Sequence, residues 1–247
     1  MDDSTSIGAS VFTTLRWKDG HVAWLENHLQ RLRSHADRLG ITWPADFRER
    51  LASTQPTGEG NLCRIQLSRE GSITVSLRGT KYSPSPLCAV SHTAPRFTRK
   101  VQGTKHADWT PYQDARSVAV SAGADIALLV HDGVVVDGDR CTPIILDSDG
   151  VAFAPSVDGG GIDSITLSIL APAIESAGIP FRYARLTEKL LGRASELIVV
   201  GTGVGVAWLD EIDTQNVGSG LPGPLYETCS AAFDTALADA WTSLDVS

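Results

Sequence analysis

The side chains that could do chemistry fall in five short segments of a 247-residue chain. Lys105, in Gly103-Thr104-Lys105-His106-Ala107-Asp108-Trp109, carries an amine that can act as nucleophile or base. It does so only when neutral, so burial or a neighbouring charge must favour that form. A lysine without context is more often a solvated point charge. Arg31, in His28-Leu29-Gln30-Arg31-Leu32, offers a charged multi-donor fork that suits phosphate oxygens. Asp137 follows a run of valines, where an acid is as readily a plain loop residue. Gly159-Gly160-Gly161 leads into Ile162-Asp163-Ser164-Ile165-Thr166. A glycine-rich turn into a helix start can hold an anion on backbone N–H groups and the dipole, and a simple cap would use the same residues. Gly201-Thr202-Gly203-Val204-Gly205 would suit a dinucleotide only if a helix followed, and Val206-Ala207-Trp208-Leu209 reads as a strand. His21, His28 and His35 are spaced by seven. Two on one helix at that spacing lie roughly 10 Å apart, too far to share a metal. They are read as flanks of an apolar stripe. No metal site and no Ser-His-Asp arrangement stands out.

These residues need elements to hold them. Val11 to Arg16 and His21 to Trp24 flank the turn Lys18-Asp19-Gly20 and predict a hairpin. Leu25, Leu29, Leu32, Ala36 and Leu39 then recur at helical spacing, with Gly40 as the C′ residue. On that wheel Arg31 lies about 120° from the stripe, a position that periodicity alone leaves solvated. Arg33 to Arg38 put positive charge in the last turns, where the dipole favours it. A weaker helix covers Phe47 to Ala52, and Leu62 to Ser68 with Ser72 to Leu77 predicts a second hairpin about Glu70-Gly71. The stretches Ser83 to Pro86 and Thr93 to Gly103 are rich in proline and in basic or small residues. The second is taken as the boundary between a smaller N-terminal lobe, 1–98, and a larger C-terminal lobe, 99–247, that carries Lys105. Beyond it, helices are expected over Tyr112 to Ala122, Ser164 to Ala177 and Pro224 to Trp241, the last with proline at its start. Strands are expected over Ile126 to Val130, Val134 to Val136, Ile144 to Leu146, Val151 to Ala154, Phe181 to Arg185 and Glu196 to Val200. Mixed elements without a regular βαβ rhythm predict an α+β fold.

Composition narrows the partners. With 42% hydrophobic and 20% charged residues the chain is ordinary for a soluble globular protein. A net charge of −8 argues against nucleic acid or an anionic membrane as partner, while leaving room for a local anion pocket. The start Met1-Asp2-Asp3-Ser4 has no secretory pattern, and no window is long and apolar enough to span a bilayer. Cys63, Cys88, Cys141 and Cys229 are scattered without CxxC spacing, which suits free thiols in a reducing cytoplasm.

Three features in order resemble the fold-type IV pyridoxal-phosphate enzymes, the class IV aminotransferase family. The first is Phe12-Thr13-Thr14-Leu15-Arg16, then Asp19-Gly20, then the HxxRL run ending at Leu32. The second is Lys105-His106 with a polar residue at Asp108, a helix, and Gly123-Ala124-Asp125-Ile126-Ala127-Leu128-Leu129, similar to the family's GADEALL. The third is Val136-Asp137-Gly138, where the family has a glutamate in TEG or TEC. The resemblance implies two α/β lobes with pyridoxal 5'-phosphate between them and a homodimer. It makes Lys105 the Schiff-base lysine, Arg31 a phosphate ligand and Asp137 the acid facing the pyridine nitrogen. The family's GI(T/M)R segment reads Ser164-Ile165-Thr166-Leu167 here, so its arginine is absent, and Ile165 and Thr166 fall on its backbone donors. Thr202 would give its hydroxyl to the phosphate.

The chain length, the Phe-Thr-Thr segment and the Lys-His-x-Asp run are most similar to the family's 4-amino-4-deoxychorismate lyases of folate biosynthesis. Such an enzyme takes a small anionic amine and releases pyruvate and 4-aminobenzoate. An aminotransferase for branched-chain or D-amino acids shares every cofactor residue and is the alternative. A non-catalytic homologue is a third reading, motivated by Asp137, by Leu167 and by the first lobe. Only about ten residues precede Val11, so that lobe is expected to be trimmed relative to the family.

Overall fold

The structure is a computed structural model that describes residues 7–80 and 86–244. The acidic start and most of the Ser83 to Pro86 stretch lie outside them. The chain forms two compact units, one from residues 7–80, 97–109 and 237–244, the other from 86–96 and 110–236.

The first unit opens with β1 (Ser10–Lys18), which turns at Asp19 and Gly20, both at positive φ, into β2 (His21–Ala23). Helix α1 (Leu25–Leu39) follows and stops at Gly40, whose φ of 68° lets its N–H reach the carbonyls of Ala36 and Asp37. A short α2 (Phe47–Ser53) leads to the hairpin β3 (Leu62–Ser68) and β4 (Ile73–Arg78), which closes at Gly71. The leucine stripe of α1 packs on Val11 and Leu15 of β1 and on Ile65 and Leu67 of β3, all buried, and forms this unit's core. The segment Phe97–Trp109 belongs here as well. A single cut at residue 98 therefore does not divide the chain, because Lys105 packs with the first unit.

The second unit starts with β5 (Leu87–Thr93), α3 (Thr110–Ser121), β6 (Ile126–His131), β7 (Val134–Gly138), β8 (Thr142–Asp147) and β9 (Ala152–Pro155). It continues through α4 (Ile165–Ser176), β10 (Phe181–Ala184), β11 (Leu186–Thr187), α5 (Glu188–Leu191), β12 (Ala194–Gly201), β13 (Gly205–Ile212), β14 (Gln215–Asn216) and α6 (Pro224–Ala238). Its strands form one mixed sheet in the order β10-β9-β8-β12-β13-β5-β6-β7-β11, with β14 paired to β13. Ile126, Leu128, Ile145, Leu197 and Val199 are its buried centre. The strand at Leu87–Thr93 is absent from the sequence reading; it runs parallel to both neighbours and has no hairpin turn to mark it.

The last helix ends sooner than its pattern predicts. It stops at Ala238, and Trp241–Ser243 becomes β15, which pairs with β2 in the first unit's sheet. An aromatic and a β-branched residue there suit a pleated edge better than a further helical turn.

The start of α6 is held by Glu196 of β12. Its carboxylate accepts from the backbone N–H groups of Gly223 (3.1 Å), Leu225 (3.0 Å) and Tyr226 (2.6 Å). An acid at a helix N-terminus satisfies orphan donors and complements the dipole. Glu196→Ala is expected to cost about 2 kcal/mol and to lower the thermal midpoint by roughly 4–8 °C. Calorimetry of the purified variant checks this, and an unchanged midpoint would remove Glu196 from that role.

Candidate active site

Helix α1 has two buried faces, and the second is polar. His28, Arg31, His35 and Arg38 stand at i, i+3, i+7 and i+10, within an arc of about 80° beside the leucine stripe. His28, Arg31 and His35 are all buried, Arg31 with 8% of its surface exposed. The solvated position that periodicity alone would give Arg31 is thus not the one it takes. His28 and His35, read above as flanks of the stripe, form a row of their own. His21 stands apart on the surface, with Nδ1 2.8 Å from the Asp19 carbonyl.

That row meets β1 and the lysine segment. Arg31 Nη2 donates to Thr13 Oγ1 at 2.9 Å, and Thr13 Oγ1 lies 2.7 Å from His28 Nδ1. The Thr13 hydroxyl, with two lone pairs and one proton, can thus link Arg31 to His28 through a single oxygen. Farther along, Arg38 donates to the carbonyls of Arg99 and Gln102 and fastens the turn before Lys105. The Lys105 peptide is bonded on both sides: its carbonyl accepts from Phe12 N–H at 3.0 Å, and its N–H donates to His35 Nδ1 at 3.1 Å. His106 forms a β-bridge with Val11 and packs edge-on to Phe97, with ring centroids 4.7 Å apart. Lys105 Nζ lies 4.5 Å from the Trp109 ring centroid and 5.4 Å from that of Phe12.

The electrostatics follow from crowding cations around buried imidazoles. Burial, then the charges of Arg31, Lys105, Arg38 and His106, pull His35 from 6.5 down to about 3. Burial, then Arg31 and Lys105, hold His28 well below its usual value. His106 is lowered chiefly by burial, with Asp108 opposing and Lys105 adding to the effect. These shifts favour the neutral form of both helix imidazoles, and the bond His35 accepts from the Lys105 N–H requires it there.

The second unit carries Asp137, Ile165, Thr166 and Thr202. Asp137 lies next to the end of β7, is 4% exposed, and accepts from the Ile162 N–H at 2.8 Å and the Thr142 hydroxyl at 3.4 Å. Gly161 lets the loop come this close, because a Cβ there would sit 2.6 Å from the Val136 carbonyl oxygen. Burial and then the Asp137 charge push the Tyr112 phenol well up. Ser164 caps α4 by accepting from Leu167 N–H at 3.3 Å. Ile165 and Thr166 occupy the first two helical positions, whose N–H groups have no partner within a helix. Thr202 sits in the turn between β12 and β13. Among the described residues, no group of three or more His, Cys, Asp or Glu could hold a metal ion.

The pattern of the amino-transferase class IV family matches residues 10–212. The chain belongs to that family, and its fold is that of the fold-type IV pyridoxal-phosphate enzymes. A D-alanine aminotransferase from Bacillus licheniformis is 27% identical over 119 residues, which is 48% of this chain and 42% of that protein, so less than half of the relative's length is matched. The branched-chain aminotransferase of the thermophilic archaeon Thermoproteus uzoniensis, solved with norvaline, superposes with a TM-score of 0.79 at 19% identity, over 98% of this chain and 92% of that one. A Legionella pneumophila protein with the provisional name 4-amino-4-deoxychorismate lyase superposes with a TM-score of 0.79 at 17% identity, over 96% of this chain and 94% of its own. No helix among the described residues is long and apolar enough to cross a membrane.

Thr13, His28, His35, Tyr112 and Thr142 escape sequence reasoning as parts of the site. The i, i+3, i+7, i+10 row on α1 was the available signal for the two histidines. Unfolded histidine protonates near 6.5, whereas folded His35 stays neutral down to about 3 and His28 shifts the same way. Their stabilising contribution is therefore present above about pH 6.5 and lost as pH falls toward about 3. Urea midpoints are expected to drop between about pH 7 and about pH 5, and to drop less in His35→Gln, which has no proton to bind there. A flat wild-type midpoint over that range would contradict the buried neutral state.

Proposed function

We propose that this chain is a pyridoxal-phosphate-dependent enzyme acting on a small anionic amine, and that its reaction is the 4-amino-4-deoxychorismate lyase reaction of folate biosynthesis. The observation that carries the cofactor assignment is that buried Arg31 and half-buried Lys105 share the His35 neighbourhood, with a main-chain anchor on the lysine. Each unit offers donors of the kind the group would need. Arg31 supplies a guanidinium for a phosphate, held in place by the Thr13 hydroxyl. Ile165 and Thr166 supply N–H groups at the positive end of α4, and Thr202 supplies a hydroxyl. Asp137 supplies a buried carboxylate for a ring nitrogen, oriented by Ile162 N–H and Thr142.

Pyridoxal phosphate supplies, when bound, an electron-withdrawing ring that stabilises negative charge at the substrate's amine-bearing carbon. Lys105 would hold the group through Nζ, and the same amine would serve as the base that takes the proton from the substrate's amine-bearing carbon. An amine tethered at a fixed distance is an effective base because its approach is prepaid in the fold. Asp137 would keep the ring nitrogen protonated. In the lyase reading, pyruvate leaves and the remaining ring aromatises to 4-aminobenzoate.

Phe12-Thr13-Thr14 and Lys105-His106-Ala107-Asp108 support the lyase. The sequence likeness to a D-alanine aminotransferase favours a second reading, amino-group transfer to a keto acid, for which the same residues would hold the cofactor. A cytoplasmic homodimer completes the proposal.

A visible absorption band is expected when pyridoxal phosphate is added to the wild type, and its loss in Lys105→Ala. Arg31→Ala is expected to weaken cofactor affinity by about tenfold or more through its phosphate. Pyruvate release without an amino acceptor would favour the lyase; conversion of the cofactor to its amine form would favour transfer. No band in the wild type would sink the enzyme reading.

A further inference from the structure

The bond between His35 and Lys105 joins an imidazole to a peptide N–H that can only donate. His35 Nδ1 must then be the lone-pair nitrogen, with the ring proton on Nε2. His35 is 2% exposed and sits on α1 one turn beyond Arg31, about 6 Å along the axis. On its other side the Lys105 peptide hangs from β1 through Phe12 N–H, and the next residue, His106, bridges to Val11. The turn before it is self-bonded, with Thr104 donating both its N–H and its hydroxyl to the Val101 carbonyl. The His35 contact is what ties the lysine's own main chain to the helix that carries Arg31.

We propose that His35 is a positioning residue for Lys105: it fixes where the lysine side chain begins relative to Arg31. The proposal rests on the reading of Lys105 as the cofactor-binding lysine. Burial first, and then its charged and titratable neighbours Arg31, Lys105, Arg38 and His106, favour the neutral imidazole, so it remains an acceptor across the working range of pH. Nothing ionises at this contact. The effect of removing it is geometric: the lysine's starting point loosens while its own chemistry is untouched. Glutamine at position 35 can offer a carbonyl oxygen to the same N–H, whereas leucine fills similar space and offers nothing.

Two readouts on His35→Leu, His35→Gln and wild type test this, with His35→Met as substitute should the leucine variant not fold. The first is amide hydrogen exchange of the Gly103–Trp109 stretch in cofactor-free protein. The second is the rate of formation and pH midpoint of the absorption band after adding pyridoxal phosphate. In His35→Leu we expect exchange at Lys105 to quicken by about tenfold, the loss of one buried hydrogen bond. We also expect band formation to slow by about threefold or more with a displaced midpoint, and His35→Gln to restore both. Unchanged exchange in His35→Leu overturns the proposal, and so does quickened exchange with an unchanged band, which would leave the bond merely structural. A wild type with no band overturns the cofactor reading and with it the role of His35. That outcome stands apart because exchange would still respond to the substitution.

Discussion

A residue whose main-chain carbonyl and N–H are bonded to two different elements cannot shift without leaving one of them unsatisfied. The peptide of Lys105 is in that position, between Phe12 of β1 and His35 of α1. Each bond contributes about 1 kcal/mol in net terms, but breaking one strands a polar group, which costs about 1–3 kcal/mol. That asymmetry makes the arrangement stiff without making it especially stable. It also explains why α1 needs two buried faces. The leucines anchor the helix to the sheet, and the polar row then sets the lysine segment against a helix that is already fixed.

The same cluster solves an electrostatic problem. Arg31 and Lys105 are two cations that a folded chain would ordinarily separate or pair with acids. Here the imidazoles of His28 and His35, which feel both charges, are held toward the neutral form by burial first and by those cations second. Thr13 completes the arrangement because a hydroxyl can accept from the guanidinium and donate to His28 at once, which neither an amide N–H nor a carboxylate can do. Phe12 and Trp109 present ring faces toward the lysine amine. Such faces favour a cation without adding an anion that would compete for the amine.

Much of this was legible in residue types and much was not. The leucine stripe, Gly40, both hairpins of the first unit and the glycine-marked helix start at Ile165 follow from local rules, and the structure has them. Arg31 and Lys105 were legible as a pair only through motif order, because burial of a polar row is invisible to a wheel that counts apolar positions. His28 and His35 were visible at a helical spacing, but a metal was the partner considered, and the partners they have are a hydroxyl and a peptide N–H. The strands at Leu87–Thr93 and Trp241–Ser243 escaped for a different reason. Each is defined by long-range pairing, parallel in the first case and with a distant edge in the second. The lobe boundary failed on similar grounds, since Phe97–Trp109 follows tertiary contacts that its own composition does not announce.

Asp137 shows how a shortened acid is kept in a defined place. An aspartate has one methylene less reach than a glutamate, so its position depends more on the backbone around it. Here the Ile162 N–H holds one carboxylate oxygen, and Gly161 permits the approach that makes this bond possible. Ile162 is three residues before the first turn of α4, so the acid and the N-terminal end of that helix are fastened by one short stretch of chain. Adding a side chain at Gly161 would push the loop from Val136 and displace both at once. In each unit, then, a residue that could do chemistry is located by a hydrogen bond between a side chain and a main-chain N–H: His35 to Lys105 in one, Asp137 to Ile162 in the other. A backbone donor cannot rotate away as a hydroxyl or an ammonium can, which is why such bonds hold a position better than a pair of flexible side chains would.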